Sequence, residues 1–123
     1  MGEEQLLRAA NGKNTLIVRN GVIESLWRPG SAVDVEEARD AIHAAAALAG
    51  GRPMPMLSEM SDVVITAAAR RLFAQATHVS AIAVLGSNDV DRAVAAAVEQ
   101  EAGYPHRFFS SRAAALAWLQ ALA

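Results

Sequence analysis

The sequence predicts an α/β fold: a mostly parallel five-stranded sheet with an antiparallel edge strand and four helices. Three observations carry that expectation. The run Val79-Ser-Ala-Ile-Ala-Val-Leu-Gly86 is apolar at nearly every position, as a strand buried on both faces must be, and a helix pattern follows it at once. Asn20-Gly21 separates two strand-like runs and is the strongest short-range hairpin signal, because both central residues of a type I′ turn need positive φ. From Asp34 onward strand-like and helix-like segments alternate, the order of parallel strands joined by crossover helices.

Taken in order, residues 1–13 read as a flexible start in which Glu3 to Ala10 forms one or two helical turns, marginal at this length. A single domain then spans residues 14–123. Thr15 to Arg28 is the hairpin, with Val18 facing Ile23 and Arg19 facing Val22; Leu16, Val18, Ile23 and Trp27 share the core face. Pro29-Gly30 stops the second strand. Asp34 and Glu37 have the spacing of a capping box, opening a helix to about Leu48 that Gly50-Gly51 closes. Val35, Ile42, Ala45 and Leu48 make its buried stripe, with Glu36, Asp40 and His43 opposite. Pro53 to about Met60 is the next strand, irregular at its prolines. After a loop at residues 61–65, Thr66 caps a second helix to about Thr77, with Leu72 and Phe73 inward and Arg70 and Arg71 outward. The apolar strand follows, then a helix from Val90 to Gly103 and a strand from His106 to Ser110. Ser111 caps the last helix, which carries Leu116, Trp118, Leu119 and Leu122.

Right-handed crossovers between strands added in sequence put every crossover helix on one side of the sheet. The apolar strand needs cover on both. The N-terminal segment, a helix displaced around the sheet, or a second subunit supplies it, and the expectation is a homodimer.

Composition removes several functions. The chain has 123 residues, 53% hydrophobic and 20% charged, which is globular rather than disordered. Its net charge is −2, and no basic cluster exceeds Arg70-Arg71, so neither nucleic acid nor a membrane surface is an expected partner. There is no cysteine, hence no disulfide and no thiolate chemistry. No apolar run approaches spanning length and no leader opens the chain, so the expected location is the cytoplasm.

The hairpin, the strand ending in Leu57-Ser58-Glu59, and Tyr104-Pro-His-Arg-Phe-Phe with its downstream Ala-Leu-Ala-Trp-Leu together resemble the SpoIIAA-like fold of small bacterial proteins, over residues 14–123. That group includes STAS domains, the sulfate transporter and anti-sigma-factor antagonist domains. The resemblance implies a non-enzymatic regulatory domain acting through protein contact, at the loop and helix start from Ser58 to Arg71. STAS regulators carry Asp-Ser-Ser-Gly there, with a phosphorylated serine. This chain has Ile65-Thr66-Ala67-Ala68-Ala69, which lacks the usual phospho-acceptor serine and keeps only the Thr66 hydroxyl.

The candidate residues therefore fall into two groups. Ser58, Ser61, Thr66, Arg70 and Arg71 are assigned to a partner surface. Gly86, Ser87, Asn88 and His106, at strand ends and a helix start, are assigned to an anion or small ligand, the alternative function being a binder of an anionic or acyl compound. Capping by Asn88 or Asp89, and by Thr66, is the plainer explanation of those polar positions. A concave cavity lined by Met54, Met56, Met60 and Phe73 would favour the ligand, and a flat loop surface the partner. No catalytic set is present: no Gly-x-Ser-x-Gly, no HExxH and no Walker pattern. His43, His78 and His106 are too scattered for a metal site, and no cofactor is expected.

Overall fold

A computed structural model describes residues 6–122. Its strands are β1 (Leu6–Ala9), β2 (Asn14–Arg19), β3 (Val22–Trp27), β4 (Ala32–Val33), β5 (Met54–Glu59), β6 (Val64–Ile65), β7 (Val79–Leu85) and β8 (His106–Phe109). Its helices are α1 (Val35–Ala49), α2 (Ala67–Ala74), α3 (Asp89–Glu99) and α4 (Arg112–Leu122). Six strands form one sheet in the order β1-β2-β3-β5-β7-β8; β4 and β6 form a separate pair. Strand β2 runs antiparallel to both of its neighbours, β1 and β3, and β3, β5, β7 and β8 run parallel.

The hairpin has the expected register, Val18 opposite Ile23 and Arg19 opposite Val22. Asn20 and Gly21 both take positive φ, 51° and 77°, as the turn requires. The capping box of Asp34 and Glu37 is formed, and Gly50 closes α1 in the left-handed conformation.

Four readings are corrected. The sheet has six strands, not five, because Leu6–Ala9 is an edge strand paired with β2 rather than helical turns of a loose start. Residues Ala10, Asn11 and Gly12 follow it with positive φ, and the Ala10 N–H donates to Asp40 Oδ2 at 2.7 Å. A carboxylate thirty positions away thus anchors a turn that local propensity disfavours. Residues 1–5 of that expected start lie outside the described residues. Second, α1 buries Ala38, Ala41 and Ala45, while Val35, Ile42 and Leu48 are half-buried, so the inward stripe is rotated onto alanines. Third, α2 stops at Ala74, short of Thr77, and α3 ends at Glu99 with Gln100 as its right-handed cap, so Gly103 lies beyond the helix. Fourth, the loop at 61–65 contains a strand, since Ala32 and Val33 pair in parallel with Val64 and Ile65.

Crossovers through α1, α2 and α3 join β3, β5, β7 and β8 in spatial order, which places all three helices on one face. Leu16, Ile23, Met56, Ile82 and Val84 point into that layer and meet Ala45 and Ala95. The far face is closed from within the chain. Helix α4 follows the edge strand β8, has no further strand to reach, and folds back under the sheet. Ala115 and Leu119 of α4 pack on Val22, Leu57, Ala81 and Ala83. Of the three covers the sequence allows, the N-terminal segment, a displaced helix or a second subunit, it is a helix of the chain itself that lies over β5, β7 and β8. The outer face of β1 to β3 carries Leu6 and Leu26, both half exposed.

Candidate functional site

The C-terminal ends of β3, β5 and β7 meet in a cluster of loops. Asp91, in the first turn of α3, holds that cluster together. Its side chain is 5% exposed. Oδ1 accepts from the Asp62 N–H at 3.0 Å and Oδ2 from the Ser87 N–H at 2.8 Å. Burial alone pushes the carboxyl pKa up. Hydrogen bonds from the backbones of Ser87, Asp62 and Asn88 and from the Ser87 hydroxyl outweigh that and hold it below the ordinary aspartate value. One carboxylate thus ties the loop after β5 to the loop after β7. On the solvent side of this tie the hydroxyls of Ser61 and Ser87 lie 3.0 Å apart. The Gly30 N–H donates to the Asp62 carbonyl at 2.7 Å, drawing in the loop after β3 as well.

Gly86 sits directly beneath. A Cβ at that position would lie 2.7 Å from Phe108 Cε1 and 2.8 Å from Asp91 Cβ. Gly86 is buried, and the direction a side chain would take is filled by Phe108 and Asp91. Asn88 is the N-cap of α3, its Oδ1 accepting from the Asp91 N–H at 2.9 Å. Among the residues assigned to a ligand, only Ser87 and Asn88 are exposed; Gly86 and His106 are buried.

The partner group divides in the same way. Thr66 Oγ1 accepts from the Ala69 N–H at 3.2 Å and donates to Asp34 Oδ1 at 3.0 Å. It is a cap, a role worth about 1 kcal/mol, and it joins the N-termini of α1 and α2. Arg70 turns back along its own helix, Nη1 donating to the Ile65 carbonyl at 2.8 Å, whereas Arg71 is exposed. Ser61 is part-exposed at the loop tip. Ser58 is buried at 6% exposure on the sheet wall, facing the helices rather than solvent.

The structure therefore merges Ser61, from one group, with Ser87, from the other, into a single surface whose floor includes the buried Gly86, and withdraws Ser58 and His106 from it. Sequence reasoning missed Asp91, Val64 and Val90. Asn88-x-x-Asp91 has the spacing of a capping pair, which was the available signal for Asp91. Val63 and Val64 alternate inward and outward: Val63 is 4% exposed and Val64 67%. Val90, in the first turn of α3, is 71% exposed. These two valines lie on either side of the hydrogen bond between Asp62 and Asp91.

Inside the fold, His106 is 9% exposed and burial lowers its pKa to about 4 from 6.5. Its neutral form is favoured in the fold, so the unfolded chain takes up the proton first as pH falls. Stability is fully present above pH 6.5 and is lost as pH drops from there toward 4, by about 3 kcal/mol from this group. Urea unfolding at pH 7 and pH 4.5 measures that loss, and His106→Phe is expected to flatten the dependence. Burial acts in the opposite direction on Tyr104, pushing its phenol up, and its O–H donates to the Phe73 carbonyl at 2.7 Å. Among the described residues no group of three or more His, Asp or Glu side chains is placed to hold a metal, and no helix is long and apolar enough to cross a membrane.

A family model described as "Domain of unknown function (DUF7793)" matches residues 16–123. The chain belongs to the DUF7793 family. No curated protein matches this DUF7793 domain. Among solved structures, it is similar to an anti-sigma factor antagonist from Mycobacterium paratuberculosis, with a TM-score of 0.64 and 15% identity over 93% of this chain and 99% of that one. It is also similar to an uncharacterised DUF3478 protein with a SpoIIAA-like fold from Shewanella loihica PV-4, with a TM-score of 0.57 and 11% identity over 95% of this chain and 92% of that one. At such identities the likeness is one of fold, and the DUF7793 domain has the SpoIIAA-like fold that the order of its elements suggests.

Proposed function

We infer that this domain is a non-enzymatic regulatory module that binds a protein partner through the loops at the C-terminal end of its sheet. The observation that carries the reading is the pair Val64 and Val90. They are the two most exposed large apolar side chains among the described residues, and they lie on either side of one hydrogen bond, Val64 two residues after Asp62 and Val90 next to Asp91, whose Oδ1 accepts from the Asp62 N–H. Two exposed apolar groups on a braced surface offer anchors that lose little freedom on binding. Ser87 and Thr66 are exposed within three residues of these valines in sequence, Ser61 is part-exposed, and Arg71 is exposed on α2, polar groups suited to an interface rim. The fold shared with an anti-sigma factor antagonist supports the same class of work.

The contact proposed here does not depend on phosphorylation. Thr66, the hydroxyl at the place of the usual serine, is engaged at both ends, capping α2 and donating to Asp34. A phosphate there would face the Asp34 carboxylate and lose the cap.

Replacing the valines tests the reading. Val64→Asp with Val90→Asp is expected to abolish the complex recovered when the tagged chain is isolated from its host. Leu122→Asp, at the far end of α4 and itself 49% exposed, is expected to leave it intact. A complex that survives the double change would overturn the assignment. The homodimer is proposed for the outer face of β1 to β3, where Leu6 and Leu26 are half exposed. Sedimentation of a monomer at high concentration would exclude it.

A further inference from the structure

Between the sheet and helices α1 to α3 lies a cavity of about 50 Å³. Native cores contain few voids larger than a water, and a water needs roughly 10–15 Å³ of such space. This one has room for a molecule of a few non-hydrogen atoms. Its origin lies in the sequence. Helix α1 turns Ala41 and Ala45 toward the sheet, and Ala76 follows α2, where larger side chains would close the gap. Met56, Met60 and Phe73 form part of the wall, and unbranched methionines adapt to what they touch.

The wall is not apolar throughout. Ser25 and Ser58 are direct neighbours on β3 and β5, and His106 stands on β8 opposite Ile82. All three line the cavity and all three are buried. His106 is 9% exposed, and its Nδ1 has no hydrogen-bond partner among the described residues. No Asp, Glu, Lys or Arg lines the space, and burial favours the neutral form of both histidines that do, His78 and His106, so a charged molecule would enter with little to offset its lost hydration. A buried nitrogen without a partner forfeits its hydration with no return. A bound donor restores that bond.

We propose that this cavity is a binding site for a small neutral molecule, an apolar body carrying one O–H or N–H that donates to Nδ1 of His106. The acceptor role of Nδ1 places the imidazole proton on Nε2. Ser25 and Ser58 provide polar groups along the same wall, and the alanines and methionines take the apolar body. Met60 and Ile65 of the wall flank the loop that carries Val64. A filled cavity therefore supports that loop from beneath.

Two probes on the full chain test the proposal by NMR: xenon, which has no donor, and propan-1-ol, which has one. Propan-1-ol is expected to shift the signals of Met56, Ile82 and His106 saturably, with half-saturation in the millimolar range, and xenon to shift the same methyl groups. His106→Phe is expected to weaken propan-1-ol binding by about 5- to 10-fold, the loss of one hydrogen bond, and to leave xenon binding unchanged. Ala45→Leu, which fills the space, is expected to block both; if that variant does not fold, the wild-type and His106→Phe titrations decide alone. Xenon entry with only linear propan-1-ol shifts would show a dry packing void and overturn the proposal. So would the absence of both probes, or propan-1-ol binding indifferent to His106→Phe.

Discussion

Asp91→Ala is expected to lower the unfolding free energy by about 3 kcal/mol, read by urea denaturation at neutral pH. The change leaves the Asp62 and Ser87 N–H groups, both now bound to the carboxylate, without an acceptor in a part-buried place. Each orphaned buried donor costs about 1–3 kcal/mol. Amide exchange at Asp62 and Ser87 should accelerate together, because the same side chain protects both. The carboxyl is held below its ordinary pKa of 3.8. Its contribution is therefore present above that value and is lost as pH falls below it. Asp91→Asn keeps the size but turns an N–H₂ toward one of the two donors, and should recover only part of the loss. A variant with unchanged stability and unchanged exchange would mean that Asp91 does not brace these loops.

Gly86→Ala is expected to cost about 2 kcal/mol, within the usual range for forcing an extra methyl into a packed core. The added Cβ would meet Phe108 at 2.7 and 3.1 Å and Asp91 Cβ at 2.8 Å. Both neighbours must give way, Phe108 with the Arg92 guanidinium over its ring at 4.7 Å, and Asp91 at its Cβ. A shift of Asp91 loosens the loops it ties. Gly86→Ala should thus reproduce, in smaller measure, the exchange pattern of Asp91→Ala. A neutral effect on both stability and exchange would show that the strand end has slack the structure does not display.

Much of this arrangement is legible in the sequence. Asn20-Gly21 set the hairpin register because positive φ at two successive positions leaves few alternatives. Asp34 and Glu37 announced the start of α1 because a capping box is local chemistry. The run Val79 to Leu85 read as buried on both faces because it is so, with the helix layer on one side and α4 on the other. What escaped was decided by partners distant in sequence. Leu6–Ala9 is four residues long, and its pairing with β2 and the Asp40 anchor at Ala10 lie beyond any window of local pattern. The β4–β6 pair rests on two residues per strand contributed from either side of α1. Alanine is nearly silent in a hydrophobic stripe, so the inward face of α1 was placed on Val35, Ile42 and Leu48 instead of Ala38 and Ala41.

The candidate site was half legible for the same reason. Capping at Thr66 and Asn88 is local and was anticipated. That Ser61 and Ser87 would meet at 3.0 Å, and that Ser58 and His106 would turn inward, follows from sheet register and pleat. Sequence assigned those four residues to functions by their place in the chain; the fold sorts them by face. Ser58 and His106 lie on the inner wall, and Ser61 and Ser87 lie at the loop tips.

The most direct test is site-specific photo-crosslinking in the host cell, with the photoreactive side chain placed at Val64, at Val90 and, as a control, at Leu122. A partner that uses the braced loop surface gives one and the same crosslinked protein from Val64 and Val90 and none from Leu122. No specific crosslink from either valine, or the same adducts from all three positions, would contradict the account.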